Sequence, residues 1–411
     1  MKLFTKTHSV TGHCLGWALL LILFAPTGIP AMYIAAPILT LVFFVLKKRG
    51  EISFNSLGVL LASLIFLSLV LNSCFYGVGI KAMSRDILLF ASFLFFPLVK
   101  NESVPLRYIY ISICILCGSQ LIYLFNIHQL FPLMDLLYPT EDVLYSSERV
   151  AYLADSSSIF GARIGGIFKN PNQFGRAVTF LFTLFLLEGR SQPLLMKCLV
   201  GGYVLFSVLA TGSRTALGVC LLLVIGEFLL RDSRKLGRWF ICFIVGVGVV
   251  GAIVYVAQAY SLRSVDVVDG MSSSLGVKIS ILTQYLSTLD FGGLLLGRAD
   301  SYAFTLSNLS LGLPDSEYGE LIVNFGFLFF IVLIIFFIRL FIQTSHENKL
   351  FFVIFLWMLT STLMMNYRIS ILFFLFLAKY TSPSKGKQKE GINNQSQCQS
   401  YEYSKIRFKM R

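Results

Sequence analysis

Three cations and a tight turn stand close together in the middle of the sequence. Residues 161–176 read GARIGGIFKNPNQFGR, which places Arg163, Lys169 and Arg176 around glycines and an Asn-Pro-Asn turn. An apolar run follows, and Asn172 can cap the helix predicted there, whose free N–H groups and positive dipole end attract anions. A helix start surrounded by arginines is suited to bind phosphate. Turn residues and cations at a membrane interface are an equally good explanation of this composition.

A further arginine lies in a very short connection between two apolar runs. Residues 211–215 read TGSRT, so Arg214 cannot lie far from hydrocarbon. An arginine costs about 2.5 to 3.5 kcal/mol at the bilayer centre and less near the surface, unless an anion pairs with it. An external anion would satisfy Arg214, and the alternative is a structural ion pair with Asp290 or Asp300.

Carboxylates cluster just before a long apolar run near residue 320. Asp315, Glu317 and Glu320 stand where a helix is predicted to begin, and acidic side chains there favour the helix dipole. Asp315 is also predicted to lie near the cationic segment. A partly desolvated carboxylate in that position can act as a general base towards a hydroxyl group.

The composition indicates the environment of these residues. Of the 411 residues, 56% are hydrophobic and only 13% are charged, whereas about a quarter of a soluble protein is charged. The apolar runs reach helix length and do not alternate with a period of two, which argues against a membrane barrel. We therefore predict an all-α, polytopic membrane protein.

Apolar windows long enough to cross a bilayer predict about twelve transmembrane helices. The windows are 14–30, 31–46, 56–74, 86–99, 106–126, 174–188, 194–210, 214–230, 239–258, 319–341, 350–365 and 367–380. The first window lacks a clear cleavage site, so we interpret it as a retained span and not as a removed signal peptide.

The cations predict the orientation of these helices, because Lys and Arg near membrane spans stay on the cytoplasmic side. With both termini in the cytoplasm, most of the basic groups between spans fall there, namely Lys47, Lys48, Arg49, Lys100, Arg107, Arg231, Arg234, Lys235 and Arg238. Two long loops, about 127–173 and 259–318, are then external. We predict one transmembrane domain over residues 1–380 and a disordered basic cytoplasmic tail over 381–411.

Three motifs in this order resemble the O-antigen polymerase and ligase superfamily of bacterial inner membranes. They are RIGGIFKNPN at 163–172, TGSRTA at 211–216 and DSEYGELIVNFG at 315–326. Ligases of that superfamily are expected to carry a catalytic histidine at the start of the last motif. No histidine lies between residues 129 and 345, and Asp315 stands at that position, which is similar to the polymerase (Wzy-type) branch.

The resemblance implies a glycosyltransferase of lipopolysaccharide biosynthesis, with its active site facing the periplasm. The donor would be a growing glycan on undecaprenyl diphosphate, and the acceptor the non-reducing end of a new undecaprenyl diphosphate-linked repeat unit. The expected partners are these lipid-linked oligosaccharides, a chain-length regulator, a flippase and the bilayer, with no nucleic acid. No cofactor is implied.

On this hypothesis, Arg163 and Arg214 bind the donor diphosphate, Arg176 and Arg298 assist, and Asp315, or failing it Glu317, deprotonates the acceptor. Arginine forks stabilise the negative charge that develops on a departing diphosphate without a metal. We expect no metal site, since the sequence has neither an Asp-x-Asp pair nor a histidine cluster. The remaining predicted site residues form the supporting loop, namely Gly166, Asn170, Pro171, Asn172 and Tyr318.

Two other functions stay open. One is a ligase-like glycan transferase, and the other is a transporter or flippase of polysaccharide repeats. Transporters usually carry ionisable groups near the bilayer midplane, whereas the polar motifs here lie at the external rim. Lys197 and Glu227 are predicted near the cytoplasmic ends of their helices, with their charged groups reaching water.

Overall fold

The structure is a computed structural model. It describes most of the predicted helices and part of the connecting segments, namely residues 9–47, 54–76, 84–95, 103–125, 127–138, 164–168, 171–230, 286–287, 289, 291–297, 317–359, 363–364 and 367–381. Every regular element within these ranges is a helix. The prediction of an all-α protein is therefore confirmed.

Twelve α-helices and two 3-10 helices are described, and we number the α-helices in chain order. They are α1 Val10–Leu23, α2 Pro30–Lys47, α3 Ser56–Tyr76, α4 Ser84–Leu94, α5 Leu106–Leu124, α6 Phe131–Leu137, α7 Pro171–Glu188, α8 Leu194–Ala210, α9 Arg214–Leu230, α10 Phe291–Leu296, α11 Glu317–Gln343 and α12 Tyr367–Thr381. The 3-10 helices are His128–Leu130 and His346–Leu359.

The helices are apolar enough for a membrane-embedded protein. Three contain stretches long enough to cross a bilayer, at Ser56–Cys74, Leu106–Leu124 and Tyr318–Gln343, and five shorter ones are also apolar. Helices lie within most of the predicted windows, but the window 239–258 is outside the described residues, as is the tail after residue 381. The count of twelve spans and the orientation in the membrane remain predictions.

Two helices are buried on almost every side. Helix α7 packs against α5, α8, α9 and the 3-10 helix His346–Leu359, and α12 packs against α1, α2 and α4. Phenylalanine rings fill the space between elements, as where Phe93 of α4 meets Phe329, Phe336 and Phe374 edge to face. Such aromatic contacts add about 0.5–1.5 kcal/mol each to the effect of burial. Helix α7, which carries Arg176, is thus fixed at the centre of the bundle.

Helix α11 is broken at Gly326. This residue has φ 79° and ψ 175°, which is not helical, and glycine reaches positive φ without the cost that a β-carbon imposes. The rings of Tyr318 and Phe330 lie 5.8 Å apart, although residues twelve positions apart in a straight helix are separated by about 18 Å along the axis. We predicted one continuous span over 319–341, and the structure instead bends it sharply.

Two neighbouring elements, α3 and α10, contact the backbone around this break. The Ser68 hydroxyl of α3 donates to the Asn324 carbonyl at 3.0 Å. A carbonyl released from a helix needs such a donor where water is excluded. The end of α10 lies so close that a β-carbon on Gly326 would fall 2.1 Å from the Leu295 carbonyl oxygen. Helix α10 lies within the predicted external loop 259–318.

Ionic contacts gather at the end of the bundle where α7 and α12 finish, which we call the paired end. The Glu188 carboxylate accepts a hydrogen bond from Tyr380 Oη at 2.6 Å and forms an ion pair with Lys379. Nearby, Arg190 binds Glu347 at 2.6 Å and Asn348 at 2.7 Å. The paired end therefore joins α7, α12 and the 3-10 helix His346–Leu359.

Lys197 and Glu227 differ from their prediction. The Lys197 ammonium of α8 lies 2.5 Å from the Glu227 carboxylate of α9, and the two side chains are only 6% and 14% exposed. The groups therefore neutralise each other between the helices and do not extend individually into water. Pairing lowers the cost of holding both charges away from solvent.

Candidate functional site

The loop 164–168, which contains the glycines of the first motif, is held between α5 and α8. Gln120 of α5 donates from Nε2 to the Ile164 carbonyl at 2.8 Å and to the Ser207 carbonyl of α8 at 3.0 Å. The Ile164 amide donates in turn to the Ala210 carbonyl at 3.0 Å. Gln120 and Ser207 are fully buried. The Gln120 side chain thus links the first motif to the end of α8, which leads into the second motif.

Gly166 allows the loop to approach α5 closely. Its φ of 53° lies in the left-handed region. A β-carbon there would fall 2.5 Å from Ser119 Oγ and 2.9 Å from the Phe174 ring. The Ser119 hydroxyl also accepts a hydrogen bond from the Ile167 amide at 3.3 Å. The glycine predicted to support the loop is therefore required by both backbone geometry and space.

The second motif forms the turn between α8 and α9. Thr211 Oγ1 accepts a hydrogen bond from the Ser213 amide at 3.1 Å, and Ser213 Oγ accepts one from the Ala216 amide at 3.4 Å. Ser213 is thus the N-cap of α9. Arg214 is the first residue of α9, so its backbone lies at a helix N-terminus, where free N–H groups favour anions.

Arg176 lies in the second turn of α7 and is completely buried. The Thr179 hydroxyl, one turn further on, accepts a hydrogen bond from the Trp357 indole Nε1 at 2.8 Å. Gly175 packs against Ala216 and against the Trp357 ring. A guanidinium group in this setting is shielded from bulk solvent, which strengthens its interaction with any anion beside it.

The third motif enters this region through α11. Glu317 begins the helix, and the Tyr318 hydroxyl donates to the Phe355 carbonyl at 3.5 Å. Phe355 is two residues before Trp357, which reaches α7. The start of α11 is therefore connected to α7 through the 3-10 helix His346–Leu359. We call the assembly of loop 164–168, the first turns of α7, the turn 211–213 and the start of α11 the motif end.

The structure describes five of the predicted site residues in full, and they are Gly166, Pro171, Asn172, Arg176 and Tyr318. Arg214 and Glu317 are described by their backbone alone. The others lie outside the described residues, and they are Arg163, Asn170, Arg298 and Asp315. Asp290 and Asp300, the alternative partners of Arg214, also lie outside them. The chemical roles assigned to all these residues stay predictions.

Sequence reasoning missed the residues that hold the motifs together. Gln120 and Ser207 lie within apolar windows, where we assigned them no role. Their signal in the sequence is their polarity, since a buried amide or hydroxyl in an apolar run requires a hydrogen-bond partner. The hydrogen bond from Trp357 to Thr179 was also missed, because both residues lie within apolar windows. Within the described part of the chain, no group of three or more His, Cys, Asp or Glu side chains is arranged to bind a metal.

Comparison with known proteins identifies no relative. No family model matches the chain, and no curated protein and no solved structure is significantly similar to it.

Proposed function

We propose that the protein polymerises lipid-linked oligosaccharide repeat units at the outer face of a bacterial inner membrane. It would transfer a growing glycan from undecaprenyl diphosphate to the non-reducing end of a new undecaprenyl diphosphate-linked repeat. The observation that carries the proposal is the contact of the first motif with the end of α8, which leads directly into the second motif, through Gln120 and the Ala210 carbonyl. Motifs distant in the sequence are thereby neighbours at one end of the bundle.

Further support comes from the position of Arg176, which is one of the cations predicted to bind the diphosphate. Arg176 is completely buried in the second turn of α7. The first turn of this helix packs against the loop 164–168 through the rings of Phe174 and Phe168. Arg214 begins the neighbouring helix α9. A diphosphate carries several negative charges, and guanidinium groups bind such oxygens with two parallel hydrogen bonds. Shielding from water strengthens this interaction, because the local dielectric constant is low.

The proposed reaction is a direct displacement. The acceptor hydroxyl oxygen attacks the anomeric carbon of the donor sugar, and the bond from that carbon to the diphosphate oxygen breaks. The proton of the hydroxyl passes to the Asp315 carboxylate, or to Glu317 in its place. The bond electrons leave with undecaprenyl diphosphate, whose charge the arginines stabilise.

A deletion strain tests the class of function. Loss of a polymerase leaves surface lipid that bears a single repeat, loss of a ligase leaves surface lipid with no repeat, and loss of a flippase retains the repeats inside the cell. The profile of lipid-linked and surface glycans separates these outcomes. Either of the last two would contradict the proposal.

Substitutions in that strain test the assigned residues. Arg176→Lys should reduce long-chain glycan strongly, because an ammonium group cannot form the bidentate fork, and Arg163→Lys should do the same. Arg190→Lys, at the paired end, is the matched control and should leave polymer unchanged. Asp315→Asn should accumulate single-repeat material. Normal polymer in the Arg163→Lys and Asp315→Asn strains would contradict the roles of these residues, provided that membrane levels of each variant match the wild type.

A further inference from the structure

An apolar groove runs along the side of the bundle between α1, α2 and α5. Its volume is about 690 Å³, and its walls include Trp17, Phe24, Met32, Phe43 and Ile115. Trp17 is 56% exposed. The groove extends along α1 from Cys14 and on to Pro26, just beyond the end of this helix, and the helical part from Cys14 to Leu23 alone is about 14 Å long. In a membrane-embedded protein, such a groove accommodates a hydrocarbon chain.

One mouth of the groove is cationic. Lys47, the last residue of α2, extends to Cys14 Sγ at 3.7 Å and lies over the Phe43 ring. Arg107, in the first turn of α5, donates to Tyr108 Oη at 3.2 Å and lies 3.2 Å from His13 Nδ1. Both cations are exposed. They therefore stand beside consecutive residues of α1 at the same end of the groove.

Neither cation is neutralised within the described part of the chain. The contacts of Lys47 and Arg107 are to a thiol, to aromatic rings, to a hydroxyl and to an imidazole, and neither forms an ion pair with a carboxylate there. Two positive charges at the mouth of an apolar groove are complementary to a lipid with an anionic headgroup. Tyr108 packs against Trp17 at this mouth, and such aromatic rings favour the level of the headgroups.

We propose that this groove is a binding site for an anionic phospholipid. Its phosphate is held by Lys47 and Arg107, and an acyl chain lies along Trp17 and Phe43. The isoprenoid substrate is a less suitable occupant, because its diphosphate would be bound at the motif end. On α5, Arg107 and Gln120 are thirteen residues apart, or about 20 Å, and Gln120 marks the motif end. The phosphate at Lys47 therefore belongs to a lipid of the opposite leaflet.

Fluorescence quenching tests the site, because Trp17 lines the groove. The purified full-length protein is reconstituted into vesicles of phosphatidylethanolamine and phosphatidylglycerol, with bromine atoms on the acyl chains of one lipid at a time. We expect brominated phosphatidylglycerol to quench Trp17 at a several-fold lower mole fraction than brominated phosphatidylethanolamine. In the Trp17→Phe variant, this difference in quenching between the two lipids should disappear. Equal quenching by the two lipids would overturn the proposal, and so would a preference for phosphatidylglycerol that persists in Trp17→Phe.

Charge variants distinguish headgroup recognition from simple exposure to lipid. Lys47→Gln and Arg107→Gln should each reduce the preference for phosphatidylglycerol by about five-fold. Lys349→Gln is the matched control, because Lys349 also lies over an exposed ring, Phe341, but this ring, unlike the Phe43 ring under Lys47, does not line the groove. A preference that survives the double variant, or that falls equally in Lys349→Gln, would show that Lys47 and Arg107 do not bind the headgroup.

Discussion

The two ends of the bundle are stabilised by different kinds of polar contact. At the paired end, charged side chains bind each other across helices, as Glu188 does with Lys379 and Arg190 with Glu347. At the motif end, neutral side chains bind the backbone, as Gln120 does with Ile164 and Ser207. The first arrangement fixes helices relative to each other, and the second fixes the path of loops. Substitutions at the paired end should therefore affect stability, and those at the motif end should also affect activity.

Breaking the buried ion pair should have the largest effect on stability. Lys379→Met leaves the Glu188 carboxylate buried without its cation, which costs about 3–5 kcal/mol. The free energy of unfolding in mixed detergent micelles measures this effect. The double variant Lys379→Met with Glu188→Gln removes both charges and should recover most of the loss. Failure of the second substitution to restore stability would show that packing of Lys379, and not charge, is responsible.

Gln120→Leu should disturb the motif end specifically. It removes the donor to two buried carbonyls, and leaving a buried acceptor unsatisfied costs about 1–3 kcal/mol. We expect long-chain glycan to be lost as well, because loop 164–168 is released from α8. The matched control is Ser112→Ala on the same helix, since the Ser112 hydroxyl donates only within α5, to the Tyr108 carbonyl. Full polymer length with Gln120→Leu would contradict this role.

The hydrogen bond between Trp357 and Thr179 should have a moderate effect. A double-mutant cycle of Trp357→Phe and Thr179→Val isolates this bond from the packing that each substitution also changes. We expect a coupling free energy of about 1 kcal/mol, measured by unfolding in micelles. Additive effects would mean that the contact contributes no specific stabilisation between α7 and the 3-10 helix.

Arg190→Ala should have the smallest effect. The Arg190 and Glu347 side chains are 38% and 65% exposed, and exposed ion pairs contribute about 0–1 kcal/mol. The melting temperature in detergent should therefore fall slightly, and the fall should shrink as salt concentration rises. A loss comparable with that of Lys379→Met would show that the exposed part of the paired end is as important as the buried part.

The sequence predicted the helices well, because apolar windows report burial in lipid or protein directly. Helix α8 matches its predicted window 194–210 at both ends. Because the windows report only apolar character, they do not show which helices are fully buried or which segments are 3-10 helices. Windows do not distinguish α7, which is buried on nearly every side, from a helix that faces lipid. The window 350–365 likewise gave no sign that its first part is a 3-10 helix.

The site was predictable only in part. The motifs indicated which segments would converge, because glycines, turn residues and arginines are conspicuous in an apolar chain. The residues that hold those segments, Gln120 and Ser207, are single polar groups whose partners are backbone atoms far away in sequence. Lys197 and Glu227 show the same limit, since thirty positions separate two charges that meet in space. Pairings of this kind depend on tertiary packing, which a single sequence does not specify.

The bend at Gly326 divides α11 into two helical parts that point in different directions. A continuous helix would transmit any tilt from one side of the membrane to the other as a rigid rod. Here the segment 317–325 is tied to α3 by the Ser68 hydroxyl and lies close to Leu295 of α10 at the bend, so its direction is set by these neighbours and not by the course of 327–343. The start of α11, which includes Glu317, is therefore oriented separately from the phenylalanine rings that pack against 327–343.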